Sequence, residues 1–326
     1  MNDLKNKLLA MVKDDLRDIE LALKDNLKPW LDLVSQIAGH LLFSGGKRLR
    51  PLLTALSARI CGYSGDINQK FSMITEYIHT ATLLHDDLVD GACFRRGKPA
   101  ANCIWDAPHA VLVGDFLLAR ALSIGAETGN AEVIRILAEV TEHMSQGEIY
   151  QLMKKRDLRI TEKEYLTVIH NKTAMLIQGA CRIGSVIADG EDQAKSAISK
   201  YGLNVGFAFQ MADDLLDYTS DTGALGKEVG ADLKEGKLTL PVIYALQKAE
   251  KEDRLRMENI ITNPEDTKTE FKEFFGFLEK YNGILYTKNK ASMYVEEAKK
   301  AVKFFAPSET RDILIYIADY ALNRVS

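Results

Sequence analysis

Apolar residues recur at intervals of three and four along most of the chain, as at Leu112, Phe116 and Leu117 and again at Ile313, Ile317, Tyr320 and Ala321. That is the period of one face of an α-helix, and strand-like alternation is scarce. Breaks fall near Pro29, Gly45-Gly46, Gly91 to Pro108, Gly129-Asn130, Gly190, Gly223 to Gly236, Asn263-Pro264 and Pro307. They divide the chain into roughly ten helices and predict an all-α, single-domain helical bundle over residues 1–326, built around a central cavity. The stretch 253–290 is more polar and less regular, which predicts a peripheral helical segment there.

Composition narrows the picture. A length of 326 residues suggests about two domains, but no linker supports a division, with only 7 prolines and 46% apolar residues. A net charge of -4 and a pI near 5.9 argue against nucleic acid as a partner. Cys61, Cys93, Cys103 and Cys181 have neither zinc-site spacing nor the density of a disulfide scaffold, so free thiols are expected and no chemistry is assigned to them. The segment from Met1 to Asp25 is charged and amphipathic, and no run of about eighteen apolar residues occurs. A cytoplasmic protein, neither secreted nor membrane-spanning, is the expectation.

The candidate chemistry lies in an aspartate cluster that occurs twice. Asp86-Asp87-Leu88-Val89-Asp90 and Asp213-Asp214-Leu215-Leu216-Asp217 each sit in an apolar, helix-like run, with first aspartates 127 residues apart (213 minus 86). Within each copy the first and last aspartates are four apart, so on a helix both carboxylates project from one face and repel. Either copy alone would also fit a solvated acidic patch at a helix end. Two copies favour a cation site, and carboxylates without His or Cys suit a hard ion such as Mg²⁺ completed by substrate phosphates. An anionic, polyphosphate substrate follows.

The basic residues are arranged to match. Gly45-Gly46-Lys47-Arg48-Leu49-Arg50-Pro51 places three cations within four residues behind glycines that allow close approach, a plausible diphosphate clamp. Arg95-Arg96-Gly97-Lys98-Pro99 follows the first aspartate cluster, and Lys227 and Lys237 follow the second. Asn171-Lys172-Thr173 adds a further cation. His79, two turns before Asp86, lies on nearly the same face, and His85 adjoins it; each also fits a satisfied structural histidine. Lys154-Lys155-Arg156 and Lys299-Lys300 read as solvated faces.

With these residues in view, the chain resembles the polyprenyl synthetase family of trans-isoprenyl diphosphate synthases. The resemblance runs through Gly-Gly-Lys-Arg-Leu-Arg-Pro at 45–51, His-Thr-Ala-Thr-Leu-Leu-His-Asp-Asp at 79–87, Arg-Arg-Gly-Lys at 95–98, and Gly114-Asp115. It continues in Lys172-Thr173, Phe209-Gln210-Met211-Ala212-Asp213-Asp214 and Gly236-Lys237-Leu238-Thr239-Leu240-Pro241. It implies an isoprenoid synthase fold, usually homodimeric, in which Lys47, Arg50, His79 and Arg96 hold isopentenyl diphosphate. Arg95, Lys172, Thr173, Gln210, Lys227 and Lys237 would surround the allylic diphosphate, a farnesyl or geranyl primer. Asp86, Asp90 and Asp213 would coordinate Mg²⁺, three ions with the allylic diphosphate bound, with Asp87, Asp214 and Asp217 as outer or shared ligands. Ionisation of the allylic diphosphate, attack by the isopentenyl double bond and proton loss then give an all-trans polyprenyl diphosphate. Thr173 and Gln210 would turn oxygen dipoles towards the cation.

Product length should be decided about one turn before Asp86, where Ala81 and Thr82 are small. Short-chain members of the family commonly carry aromatics at this level, and the segment His79 to Asp87 most resembles octaprenyl and related quinone-tail synthases. Tyr77 or Ile78, one turn deeper, could limit the tunnel, and Met144 or Val140 could form its floor; all four also fit an ordinary core. Alternatives are a geranylgeranyl diphosphate synthase, a terpene cyclase, which would not need the clamp at Lys47, Arg50 and Arg96, and a non-catalytic subunit of a heteromeric synthase. Release of so apolar a product implies transient membrane contact.

Overall fold

The computed structural model describes residues 2–65, 68–95, 97–219, 230–264 and 267–323. Its helices are α1 (Asn2–Met11), α2 (Lys13–Leu27), α3 (Asp32–Leu42), α4 (Leu49–Ile60), α5 (Asn68–Val89), α6 (Ala101–Trp105), α7 (Ala107–Ala126) and α8 (Ala131–Met153). They continue as α9 (Glu162–Ile169), α10 (Met175–Ile187), α11 (Asp192–Thr219), α12 (Ala231–Lys234), α13 (Leu240–Lys248), α14 (Lys251–Thr262), α15 (Lys268–Lys280), α16 (Gly283–Val302) and α17 (Glu309–Asn323). A π-helical turn, His170–Ala174, joins α9 to α10, and two-residue strands β1 (Phe94–Arg95) and β2 (Lys98–Pro99) form the one described hairpin.

The all-α expectation holds, with more breaks than the roughly ten helices expected. Signals too weak to read from pattern end helices at Val12 and Tyr281, and α9 opens on a capping box in which Thr161 and Glu164 satisfy each other's backbone amides.

Two apolar clusters form the interior. The larger gathers α2 to α5, α7, α8, α10 and α17, with Leu53, Met73, Ile74, Leu117, Ile136 and Ile177 fully buried. The smaller gathers α9 and α12 to α15 about Met211, Leu240, Met257 and Phe274. Two long helices serve both: α11 gives Ile198, Tyr201 and Val205 to the first and Phe207, Met211 and Tyr218 to the second, while α16 gives Ala291 to the second and Val295, Ala298 and Val302 to the first. The polar stretch 253–290 therefore has a buried side, with Met257, Ile260, Ile261, Phe274 and Leu278 packed in the second cluster.

α7 is long and apolar enough to cross a membrane by length and composition alone, although Asp115 and Arg120 interrupt its apolar residues. One side of it packs along α5.

Arg48 departs from the expected clamp. It sits at a left-handed φ of 47° ahead of α4, 4% exposed, and its guanidinium donates to Glu20 at 2.5 Å, to Glu76 at 2.8 Å and to the Leu42 carbonyl. It ties α2, α3 and α5 to the start of α4 and so holds the glycine loop in place. Replacing Arg48 with alanine would leave Glu76 buried without its cation, and unfolding in urea should show a loss of about 3–5 kcal/mol. A loss under about 1 kcal/mol would mean that water reaches Glu76.

Candidate active site

The first aspartate cluster closes α5. Asp87 is buried, 1% exposed, and accepts from Arg95 Nε at 2.6 Å, which the β1–β2 hairpin delivers beside the helix it has just left. Asp86 is half-buried; loss of water pushes its carboxyl up to about 6, with Lys172 and Arg95 opposing the rise and Glu148 and Asp90 adding to it.

Lys172 and Thr173 project from the π-helical turn. Such turns are rare and occur often at functional sites. Its backbone is gripped between two glycines: a Cβ at Gly147 on α8 would lie 2.8 Å from the Lys172 amide nitrogen, and one at Gly206 on α11 would lie 2.6 Å from the Ala174 Cα. Lys172 Nζ donates to Gln151 Oε1 at 2.8 Å and pairs with Glu148. Thr173 Oγ1 donates to Gln210 Oε1 at 2.8 Å, Gln210 Nε2 donates to Asp214 Oδ1 at 2.8 Å, and Tyr165 Oη donates to Asp214 Oδ2 at 2.6 Å. This relay fixes the Gln210 amide with its oxygen towards Thr173. Asp214 is 3% exposed, and desolvation with the nearby Asp232 raises its pKa against the pull of Tyr165 and Gln210.

Asp90 is gripped at both oxygens. Lys155, just beyond the end of α8, donates to Oδ1 at 3.1 Å, and Lys237, just ahead of α13, donates to Oδ2 at 2.9 Å. Burial works against its ionisation, yet the two lysines prevail and hold the carboxyl below the usual carboxylate range. Lys237 also meets Glu235 at 2.5 Å. Asp217 accepts from the Ala231 and Asp232 amides, each at 3.1 Å, and so holds the entry to α12. Asp213 is half-buried beside this pair on α11.

Gln151, Lys172, Thr173, Gln210, Asp214 and Lys237 line part of a cleft of about 160 Å³, and Lys237 links it to Asp90. Lys47 approaches from the glycine loop, its ammonium 5.9 Å from the Phe209 ring and 5.3 Å from that of Tyr320. Arg50, in the first turn of α4, and His79 on α5 are half-buried. Arg96 and Lys227 lie outside the described residues.

Several residues differ from their reading in the sequence. Lys155 is no solvated charge but a partner of Asp90, whereas Lys300, paired with Glu297, does stay on the surface. His85 belongs to the α5–α7 contact: its Nε2 donates to the Val111 carbonyl at 3.2 Å, over Gly114, where a Cβ would lie 2.2 Å from that nitrogen. Tyr77 donates its hydroxyl to the Leu23 carbonyl at 2.9 Å and pins α5 to α2. It, Ile78 and Ala81 are buried in the larger core, as are Val140 and Met144; with the half-buried Thr82, none lines the cleft. Glu148, Gln151, Tyr165 and Asp232 escaped the sequence reading. Only Glu148 and Gln151, one turn apart on α8, carried a signal as a polar stripe. The cysteines are free thiols, those of Cys61 and Cys181 pushed up by burial to about 11 and about 12.

The predicted ligands are all carboxylates, a set that suits a hard divalent cation. Among the described residues no three Asp, Glu, His or Cys groups gather closely enough to hold a metal ion alone. The site therefore fits an ion whose shell substrate oxygens complete, the common arrangement for Mg²⁺.

An all-α bundle that brings two aspartate-rich helices and a ring of cations to one cleft defines a class: enzymes of the isoprenoid synthase fold acting on diphosphates. Residues 31–278 match the polyprenyl synthetase family. The chain is 33% identical over 318 residues to the octaprenyl diphosphate synthase of Escherichia coli (strain K12), covering 98% of each. It is 35% identical over 324 residues to the geranyl-diphosphate-specific all-trans-nonaprenyl-diphosphate synthase of Rhodobacter capsulatus, covering 99% of each. A polyprenyl synthase from Caulobacter crescentus CB15, solved with calcium and isoprenyl diphosphate, superposes with a TM-score of 0.93 at 38% identity over 98% of both chains. The chain belongs to the polyprenyl synthetase family and is a prenyltransferase.

The raised Asp86 pKa has a measurable consequence in metal-free protein. The folded chain holds this proton up to about pH 6, the unfolded chain only to its ordinary value of 3.8. Folded protein thus binds more protons in that window, and Asp86 increasingly disfavours folding as pH rises through it. Asp86→Asn should raise the melting temperature at about pH 7.5, by the equivalent of about 2 kcal/mol, and raise it less at about pH 4.5. A gain equal at both pH values would reject the assignment.

Proposed function

We propose that the chain is a Mg²⁺-dependent trans-polyprenyl diphosphate synthase that extends an allylic primer, farnesyl or geranyl diphosphate, with isopentenyl diphosphate to a long chain of octaprenyl size for quinone side chains. The observation that carries this reading is the convergence on one cleft of the Thr173–Gln210–Asp214 relay with Lys172 and Lys237, the lysines that act on Asp86 and Asp90. The calcium and isoprenyl diphosphate bound by the Caulobacter crescentus protein support a divalent cation and a prenyl diphosphate as ligands of this chain.

Asp86, Asp90 and Asp213 would hold the ions, with Asp87, Asp214 and Asp217 keeping the surrounding shell in place. Bound Mg²⁺ supplies charge withdrawal from the allylic diphosphate, so that its carbon–oxygen bond ionises. Lys172, Lys237 and Arg95 bind the diphosphate that leaves. Lys47, Arg50 and His79 orient isopentenyl diphosphate so that its double bond attacks the allylic cation, and the departing pyrophosphate takes the proton lost from the new chain. Thr173 Oγ1 and Gln210 Oε1 turn their dipoles to the cation, an orientation fixed in advance by Asp214.

We assign the protein to the cytoplasm, with transient membrane contact during release of its apolar product. A homodimer is the assembly that its exposed apolar side chains support: on one side of α7, Val111 is 39%, Leu112 64% and Leu122 44% exposed. Leu112→Asp should leave a monomer in analytical ultracentrifugation, and a dimer retained would reject α7 as the interface.

With Mg²⁺, farnesyl diphosphate and excess isopentenyl diphosphate, mass spectrometry should find a dominant octaprenyl diphosphate. Ala81→Tyr should shorten it by several isoprene units if the growing chain enters the larger core beside α5, where Ala81 is a small buried side chain about one turn before Asp86. Termination of the wild type near geranylgeranyl would make the medium-chain reading correct, and no elongation would favour a subunit that needs a partner.

A further inference from the structure

The grip on Asp90 is built by the backbone as well as by side chains. Arg156, next to Lys155, donates its amide to the carbonyl of Gly236, next to Lys237, at 2.8 Å. The pairing is close enough that a Cβ on Gly236 would lie 2.6 Å from Arg156 Cγ. This bond yokes the end of α8 to the segment ahead of α13 and presents two lysines together, one to each oxygen of the carboxylate.

The two lysines are not equivalent. Lys237 is 13% exposed and keeps Glu235 at 2.5 Å whatever Asp90 does. Lys155 is 26% exposed, next in sequence to the cleft-lining Lys154, and Asp90 is its one acidic partner among the described residues. An Asp90 carboxylate that ligates a divalent cation must give up part of this double ion pair. Lys237 then falls back on Glu235, whereas Lys155 is left beside Asp90 with no other counter-charge among the described residues.

We propose that Lys155 is a further diphosphate-binding residue, which pairs with Asp90 in the resting site and passes to an oxygen of the allylic diphosphate when Asp90 takes a divalent cation. The inference rests on the prenyl synthase reading of the cleft. Lys155 thereby has opposite effects on two ligands: it competes with the metal for Asp90, and it favours the diphosphate once the metal is bound. A lysine that only paired with Asp90 would do the first and not the second.

Calorimetric titration of the full chain separates these effects without turnover. In Lys155→Met, Mn²⁺ alone should bind a few-fold more tightly than to wild type, and inorganic pyrophosphate at saturating Mg²⁺ roughly tenfold more weakly. Lys155→Arg should restore pyrophosphate affinity, because the charge and its reach are kept. Unchanged affinities, or both moving in one direction, would overturn the proposal while leaving the synthase reading intact. Failure of the wild type to bind pyrophosphate in a Mg²⁺-dependent way would overturn both.

Discussion

Six carboxylates brought close to one cleft repel one another and lose part of their hydration, and the rest of the site is organised by the need to offset that cost. The chain answers four of them with separate donors. Arg95 neutralises Asp87, Lys155 and Lys237 share Asp90, Tyr165 and Gln210 donate to Asp214, and two backbone amides hold Asp217. Asp86 and Asp214 keep part of the burden, which appears as their raised pKa values. Because the donors come from the hairpin, the end of α8, α9, α11 and the segment around α12, the acidic helices can meet only if the whole bundle assembles around them.

That assembly depends on close backbone approach more than on large side chains. Gly147 and Gly206 admit the π-helical turn between α8 and α11, which sets Lys172 and Thr173 beside Gln210. The buried Arg48 performs the equivalent task at the other side of the site, holding the glycine loop from which Lys47 reaches over α11 and α17. Both core clusters are threaded by α11 and α16, so the helix with the second aspartate cluster is braced along its length.

Relatives of similar identity are named for octaprenyl and nonaprenyl products, so the shared fold does not by itself fix product length. On α5 the candidates divide by chemistry. Tyr77 already has a task, since its hydroxyl satisfies the Leu23 carbonyl at the contact with α2. Ala81 has no polar atom to satisfy, so its size alone is free to set a limit.

The helical architecture, the two aspartate clusters and the glycine-flanked cations were all legible in the sequence, because each depends on residues a few positions apart: helical period, carboxylate spacing and loop chemistry are local properties. What no local pattern contains is pairing across the chain. Arg48 and Lys47 are neighbours with the same charge, yet one is buried between Glu20 and Glu76 and the other is exposed over the Phe209 and Tyr320 rings, a difference made by what packs over each. Lys155 looked like one charge in a solvated run until α8 and the segment before α13 were brought together across Asp90, 65 residues away. Sequence alone thus determined the helices, the acidic chemistry and the kind of ligand. Tertiary structure decided which cation serves which carboxylate, because the energy of an ion pair depends on distance and burial in space, and neither is encoded in the spacing along the chain.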